Sequence, residues 1–161
     1  MNVARLTHML AVGLLALLAL TPAAPLVATP AHAAAVGHID GGGTATISQF
    51  GLGVTVRPDG RTSGHFLCLM AGRTAGVVPD NGHSMVVSGR VTEAVLKSAT
   101  SATLYGTARV LLDGQTLGTE VAFSVEVTAG GPGQGTLQLN LRGMGILLPV
   151  EEILSGQITI H

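Results

Sequence analysis

Apolar and polar residues alternate with a period of two along most of this chain, which leaves little room for anything but a sheet. Val121, Phe123, Val125 and Val127 alternate with Ala122, Ser124, Glu126 and Thr128 in the cleanest run. Phe50 to Arg57, Met85 to Thr92, Leu137 to Arg142 and Gln157 to His161 repeat the pattern. Successive strand side chains point to opposite faces, so each run offers one face to a core and the other to water. His65 to Ala71 is apolar on both faces and reads as a central strand, and Ala102 to Leu112 reads as a further strand before the Asp113-Gly114 turn. Pro58-Asp59-Gly60, the hairpin signal Asp113-Gly114, and Gly130-Gly131-Pro132-Gly133 punctuate the runs.

Helix is confined to one place. Glycine or a β-branched residue interrupts nearly every other window. Pro149-Val150-Glu151-Glu152-Ile153-Leu154 has proline at a first-turn position and two early glutamates, so a turn or two of helix is expected there. The expected fold is all-β: an antiparallel β-sandwich or small β-barrel of seven to eight strands with at most one short helix. Alternation does not distinguish sandwich from barrel.

The first 33 residues read as a secretory signal peptide. Arg5 is the positive end, Met9 to Leu20 the apolar run, and Ala31-His32-Ala33 the cleavage signal. The run is short for a bilayer span, and Pro22, Pro25 and Pro30 follow it. The expected organisation is therefore a leader over 1–33 and a single β domain over 34–161, secreted to the extracellular space or cell envelope. Cys68 is the only cysteine, so no internal disulfide is available to the exported chain. Its neighbours Phe66, Leu67, Leu69 and Met70 make it a buried, unreactive thiol.

Composition narrows the partners. Charged residues are 11% and the formal net charge is −1, with no run of one sign, which argues against nucleic acid. Aromatic residues are 2% and tryptophan is absent, so the stacking platforms that single-stranded nucleic acid or carbohydrate binding usually needs are lacking.

Several segments together carry a resemblance. They are Gly41-Gly42-Gly43, Phe50-Gly51-Leu52-Gly53-Val54, Gly64-His65-Phe66, Val87-Ser88-Gly89-Arg90-Val91, Phe123-Ser124-Val125-Glu126-Val127, Gly131-Pro132-Gly133-Gln134-Gly135 and Leu154 to His161. This order resembles the small glycine-rich β-modules of bacterial secreted and cell-surface proteins, most of them without assigned function. The resemblance implies an extracellular β-fold and no activity. The chain departs from that pattern at Thr44, where such modules carry an aromatic, and at Gln134, where they carry an aspartate.

Chemistry finds little purchase. Gly82-His83-Ser84-Met85-Val86 approaches a nucleophile elbow, but Val86 replaces the final glycine and Ser84 opens a strand. No two histidines among His38, His65, His83 and His161 stand at a local ligand spacing, though distant strands could bring His65 and His161 together. Asp59, Asp80 and Asp113 are explained as turn formers, and no loop offers a second carboxylate for calcium. Adjacent Glu151 and Glu152 would point to opposite faces and are expected to be solvated. The expectation is no catalytic set, no metal and no cofactor. A structural, adhesive or protein-binding role follows, with an extracellular protein or cell-surface partner. Two other readings stay open. One is an apolar-ligand barrel lined by Phe50, Phe66, Met70, Tyr105 and Phe123; the other is a hydrolase built on Ser84. Ile146, Leu147, Leu148, His65 and His161 are the candidate ligand or partner contacts, the first three within an apolar loop that either tucks inward or forms a contact patch.

Overall fold

A computed structural model describes residues 37–72 and 82–161. The leader expected at residues 1–33, and Asp80, lie outside the described residues. Among the described residues nine strands follow one another: β1 (Gly37–Ala45), β2 (Gln49–Val56), β3 (Thr62–Met70), β4 (Met85–Leu96), β5 (Ser101–Leu112), β6 (Gln115–Thr128), β7 (Thr136–Leu141), β8 (Ile146–Leu147) and β9 (Glu151–Ile160). From β1 to β7 each strand pairs antiparallel with the next. Strand β9 then enters between β7 and β1 and pairs with both, so the sheet closes into a ring. The arrangement is an eight-strand up-and-down barrel, with β8 covering the far end of β7 at Asn140 and Leu141. Closure satisfies edges that an open sheet would leave unpaired.

The alternation becomes inside and outside. Val121 apart, the inward residues of the cleanest run are buried, as are Phe50, Leu52 and Val54 on β2 and Leu137, Leu139 and Leu141 on β7. Eight strands enclose a space that side chains just fill. At its centre the Phe66 and Phe123 rings stack with centroids 5.7 Å apart. Gly89 makes room for that pair: a Cβ there would stand 2.5 Å from the Phe123 ring.

Two segments differ from the sequence reading. The helix expected at Pro149–Leu154 is absent; β9 begins at Glu151 instead, with Glu151 and Ile153 buried and Glu152 and Leu154 exposed. Six residues cannot repay helix nucleation, while strand pairing satisfies the same backbone on two sides. A single 3-10 turn forms at Arg142–Met144 instead. Strand β1 is concealed in the sequence by its glycine triplet. Those glycines let β9 approach, because a Cβ on Gly41 would lie 2.6 Å from the Gln157 carbonyl oxygen. Among the described residues no helix is long and apolar enough to cross a membrane.

Candidate functional site

The barrel gathers its polar chemistry into three places. The first is buried. Glu151 points inward from the start of β9 and is 1% exposed. Its carboxylate accepts hydrogen bonds from the Ile47 amide and the Ser48 hydroxyl, both at 3.0 Å. The expectation of a solvated Glu151 is thus corrected: the acid faces the loop between β1 and β2, whose unpaired donors it satisfies. Adjacent Glu152 does face water, as the strand period requires. Cys68 lies nearby and is fully buried. Burial pushes its thiol pKa up to about 12; a hydrogen bond with the Ser48 side chain opposes the shift and the Glu151 charge adds to it. A thiol so held is not a nucleophile at neutral pH.

The second place is an outer seam where β9 meets β1. The His38 and His161 backbones exchange two hydrogen bonds, at 3.1 and 2.9 Å. Asp40 Oδ2 lies 3.6 Å from His38 Nε2 and 4.0 Å from His161 Nε2, and accepts from Thr159 Oγ1 at 3.2 Å. His65 does not join this seam. Register places Asp40 opposite Gly53 and Gly53 opposite His65, so β2 stands between His65 and the seam. Ring closure brings His161 not to His65 but into a His38–Asp40–His161 grouping. His65 instead lies over Gly53, where a Cβ would be 3.0 Å from its ring. Among the described residues no group of three or more His, Cys, Asp or Glu is arranged to hold a metal ion.

The third place is the β5–β6 turn. Asp113 adopts φ 49° in the Asp113-Gly114 hairpin and receives the Ser84 amide at 2.9 Å and the His83 ring. Ser84 therefore contributes its backbone amide to the His83–Asp113 pair as it leads into β4, a strand rather than the helix an elbow requires. The Ser84 amide, then the His83 hydrogen bond, hold the Asp113 carboxyl below the ordinary aspartate value. A depressed folded-state pKa stabilises the fold fully above the ordinary value, and that contribution is lost as pH falls through the depressed one. The Ser84 amide signal is therefore expected to titrate with a midpoint below the ordinary aspartate range. D113N is expected to abolish that acid-side transition, whereas an ordinary midpoint would show that the pair does not hold the turn.

The apolar candidates separate. Leu148 tucks into the core at 1% exposure and its carbonyl accepts from Gln138. Ile146 packs half-buried against the core, and Leu147 stands out at 61% exposed. Val150, at the end of the apolar loop read from the sequence, and Leu154, which lies beyond it, are also more than half exposed. Leu147, Val150 and Leu154 thus face outward in turn along the extended stretch from β8 into β9, an apolar lip interrupted by the exposed Glu152. The expected apolar lining divides too: Phe50, Phe66, Met70 and Phe123 pack into one continuous core. Tyr105 lies on the outer face, with the Arg142 guanidinium 5.9 Å from its ring centre. The odd-numbered residues of β5 point away from the interior, so Tyr105 cannot line it.

Fold and groupings together define an antiparallel up-and-down barrel filled by its own side chains. No family model, curated protein or solved structure matches the chain.

Proposed function

We propose that this chain is an exported, non-catalytic β-barrel module that binds an extracellular or cell-surface protein through its apolar lip. The observation that carries the reading is the exposure of Leu147, Val150 and Leu154, at 61%, 59% and 55%, on one short stretch of a chain with a well-filled core. Large apolar side chains left in water on a small barrel represent contact area available to a partner. The leader-like first 33 residues and the resemblance to glycine-rich secreted modules support an extracellular setting. The inert thiol and the structural work of Glu151 and Asp113 favour a role in contact over one in turnover.

The test places a photo-crosslinking residue at Leu147 and exposes the protein to the extracellular fraction of the producing cells. One discrete protein adduct is expected. It should disappear in the variant V150D/L154D, with the thermal midpoint unchanged within a few degrees. An adduct that persists in that variant, or turnover of a small substrate by the purified protein, contradicts the proposal.

A further inference from the structure

The scarce cations are not spread evenly over the barrel. Arg61 pairs with Asp59, Lys97 pairs with Glu126, and Arg142 lies over Tyr105. Arg90 on β4 and Arg109 on β5 have no carboxylate within ion-pair distance among the described residues, although they sit almost side by side. Register puts Arg90 opposite Thr107 and Ser88 opposite Arg109, so the two arginines are diagonal neighbours on one outward face. Diagonal neighbours on a sheet are within reach of long side chains, and like charges so placed repel. Nothing in the folding of the barrel rewards that repulsion.

What the pair does form is a cleft. Ser88, Arg90, Thr107, Arg109, Thr119 and Glu120 line an open space of about 500 Å³. Arg109 Nη2 donates to Thr116 Oγ1 at 2.9 Å, which fixes one edge of its guanidinium and leaves other N–H groups to aim elsewhere. His65, singled out in the sequence as a contact residue, stands directly opposite Arg90 on β3.

We infer that this cleft binds an acidic saccharide, through a uronate-type carboxylate held between Arg90 and Arg109. Guanidinium groups take a carboxylate as a fork. Ser88, Thr107 and Thr119 supply hydroxyls for the ring hydroxyls of a sugar. Glu120 decides between anions. It opposes a doubly charged phosphate monoester, yet offers a singly charged, hydroxyl-rich ligand a strong acceptor. The lack of tryptophan, which counts against stacking a neutral sugar, does not count against recognition by charge. This surface is separate from the apolar lip, and the proposal does not depend on it.

Titration of the isotope-labelled protein with a tetra-uronate at low ionic strength tests the inference by amide shifts. Shifts confined to Ser88, Thr107 and their neighbours are expected, with affinity falling as salt rises. R90Q and R109Q are each expected to weaken binding at least fivefold. R109K, which keeps the charge and loses the fork, should weaken it less, and R57Q, an exposed arginine outside the cleft, should stay within twofold. Thermal midpoints confirm that each variant is folded. The inference is overturned if no shifts appear, or if a neutral tetrasaccharide or inorganic phosphate binds as well. It is equally overturned if R57Q weakens binding as much as R90Q. Photo-crosslinking through Leu147 should be unaffected by R90Q, so the two surfaces can fail separately.

Discussion

Replacing Gly156 by alanine is expected to open the barrel where β9 meets β1. Gly156 has φ 79°, and a Cβ there would lie 1.9 Å from the Gly42 carbonyl oxygen, well inside any permitted contact. The neighbouring atoms belong to backbone, so no side chain can swing away. Opposite it stands Gly43, whose own Cβ would lie 1.9 Å from the Ser155 carbonyl oxygen. Strained dihedrals for a non-glycine residue cost roughly 1–3 kcal/mol, and displacing backbone adds to that. A loss of about 3–5 kcal/mol follows, a large fraction of what a domain this size possesses. Thermal unfolding followed by circular dichroism should show a midpoint lowered by about 10 °C or more. Gly51→Ala is the control: nothing lies within 4 Å of its Cβ position, so stability should hold or rise slightly through a less flexible unfolded chain. Equal losses in the two variants would show that the close approach at Gly156 is not what constrains the seam.

The second large effect is expected at Glu151. Truncation to alanine removes the acceptor for the Ile47 amide and the Ser48 hydroxyl in a buried place, and the vacated space is poorly suited to replace it. Hydrogen bonds to a charged group are worth about 1.5–3 kcal/mol each, and stranded buried donors add a desolvation cost. A loss of about 3 kcal/mol is expected in urea unfolding. Glutamine should rescue most of it, because its oxygen can accept from the Ile47 amide while its NH₂ donates to the Ser48 hydroxyl, which turns to accept. In E151A the Ile47 amide should also lose its protection from hydrogen exchange. An E151A protein within 0.5 kcal/mol of the parent would show that the loop is held by other contacts. The effect matters for the whole ring, since β9 meets β7 through only two residue pairs, Thr136 with Glu152 and Leu137 with Glu151.

Glu151 also shows where sequence reading reached its limit. The strand period correctly sends Glu151 and Glu152 to opposite faces, but it carries no information on which face is the inside. Charge alone argued for water on both. The deciding fact is the position of Ser48 and the Ile47 amide, more than a hundred residues away in the chain. The short helix expected over Pro149–Leu154 failed for the same reason. Its local signals were genuine, but the partners that reward an extended backbone there are β7, beyond the reach of a helical window, and β1, at the other end of the domain. The loop after Gly143 was legible only in part: Leu148 and Leu147 are chemically alike, and the fold alone sends one inward and the other into water.

Alternation and turn chemistry, read from the residues alone, determined that this chain is an antiparallel sheet protein with hairpins at Asp59-Gly60 and Asp113-Gly114, and with Cys68 buried. Those properties depend on neighbours one to four residues apart, which a sequence displays directly. Barrel closure, the His38–Asp40–His161 seam, the burial of Glu151 and the diagonal arginines were decided by tertiary structure. Each depends on register between strands, and register is fixed only when every strand has found both partners and one side of the sheet has become the interior.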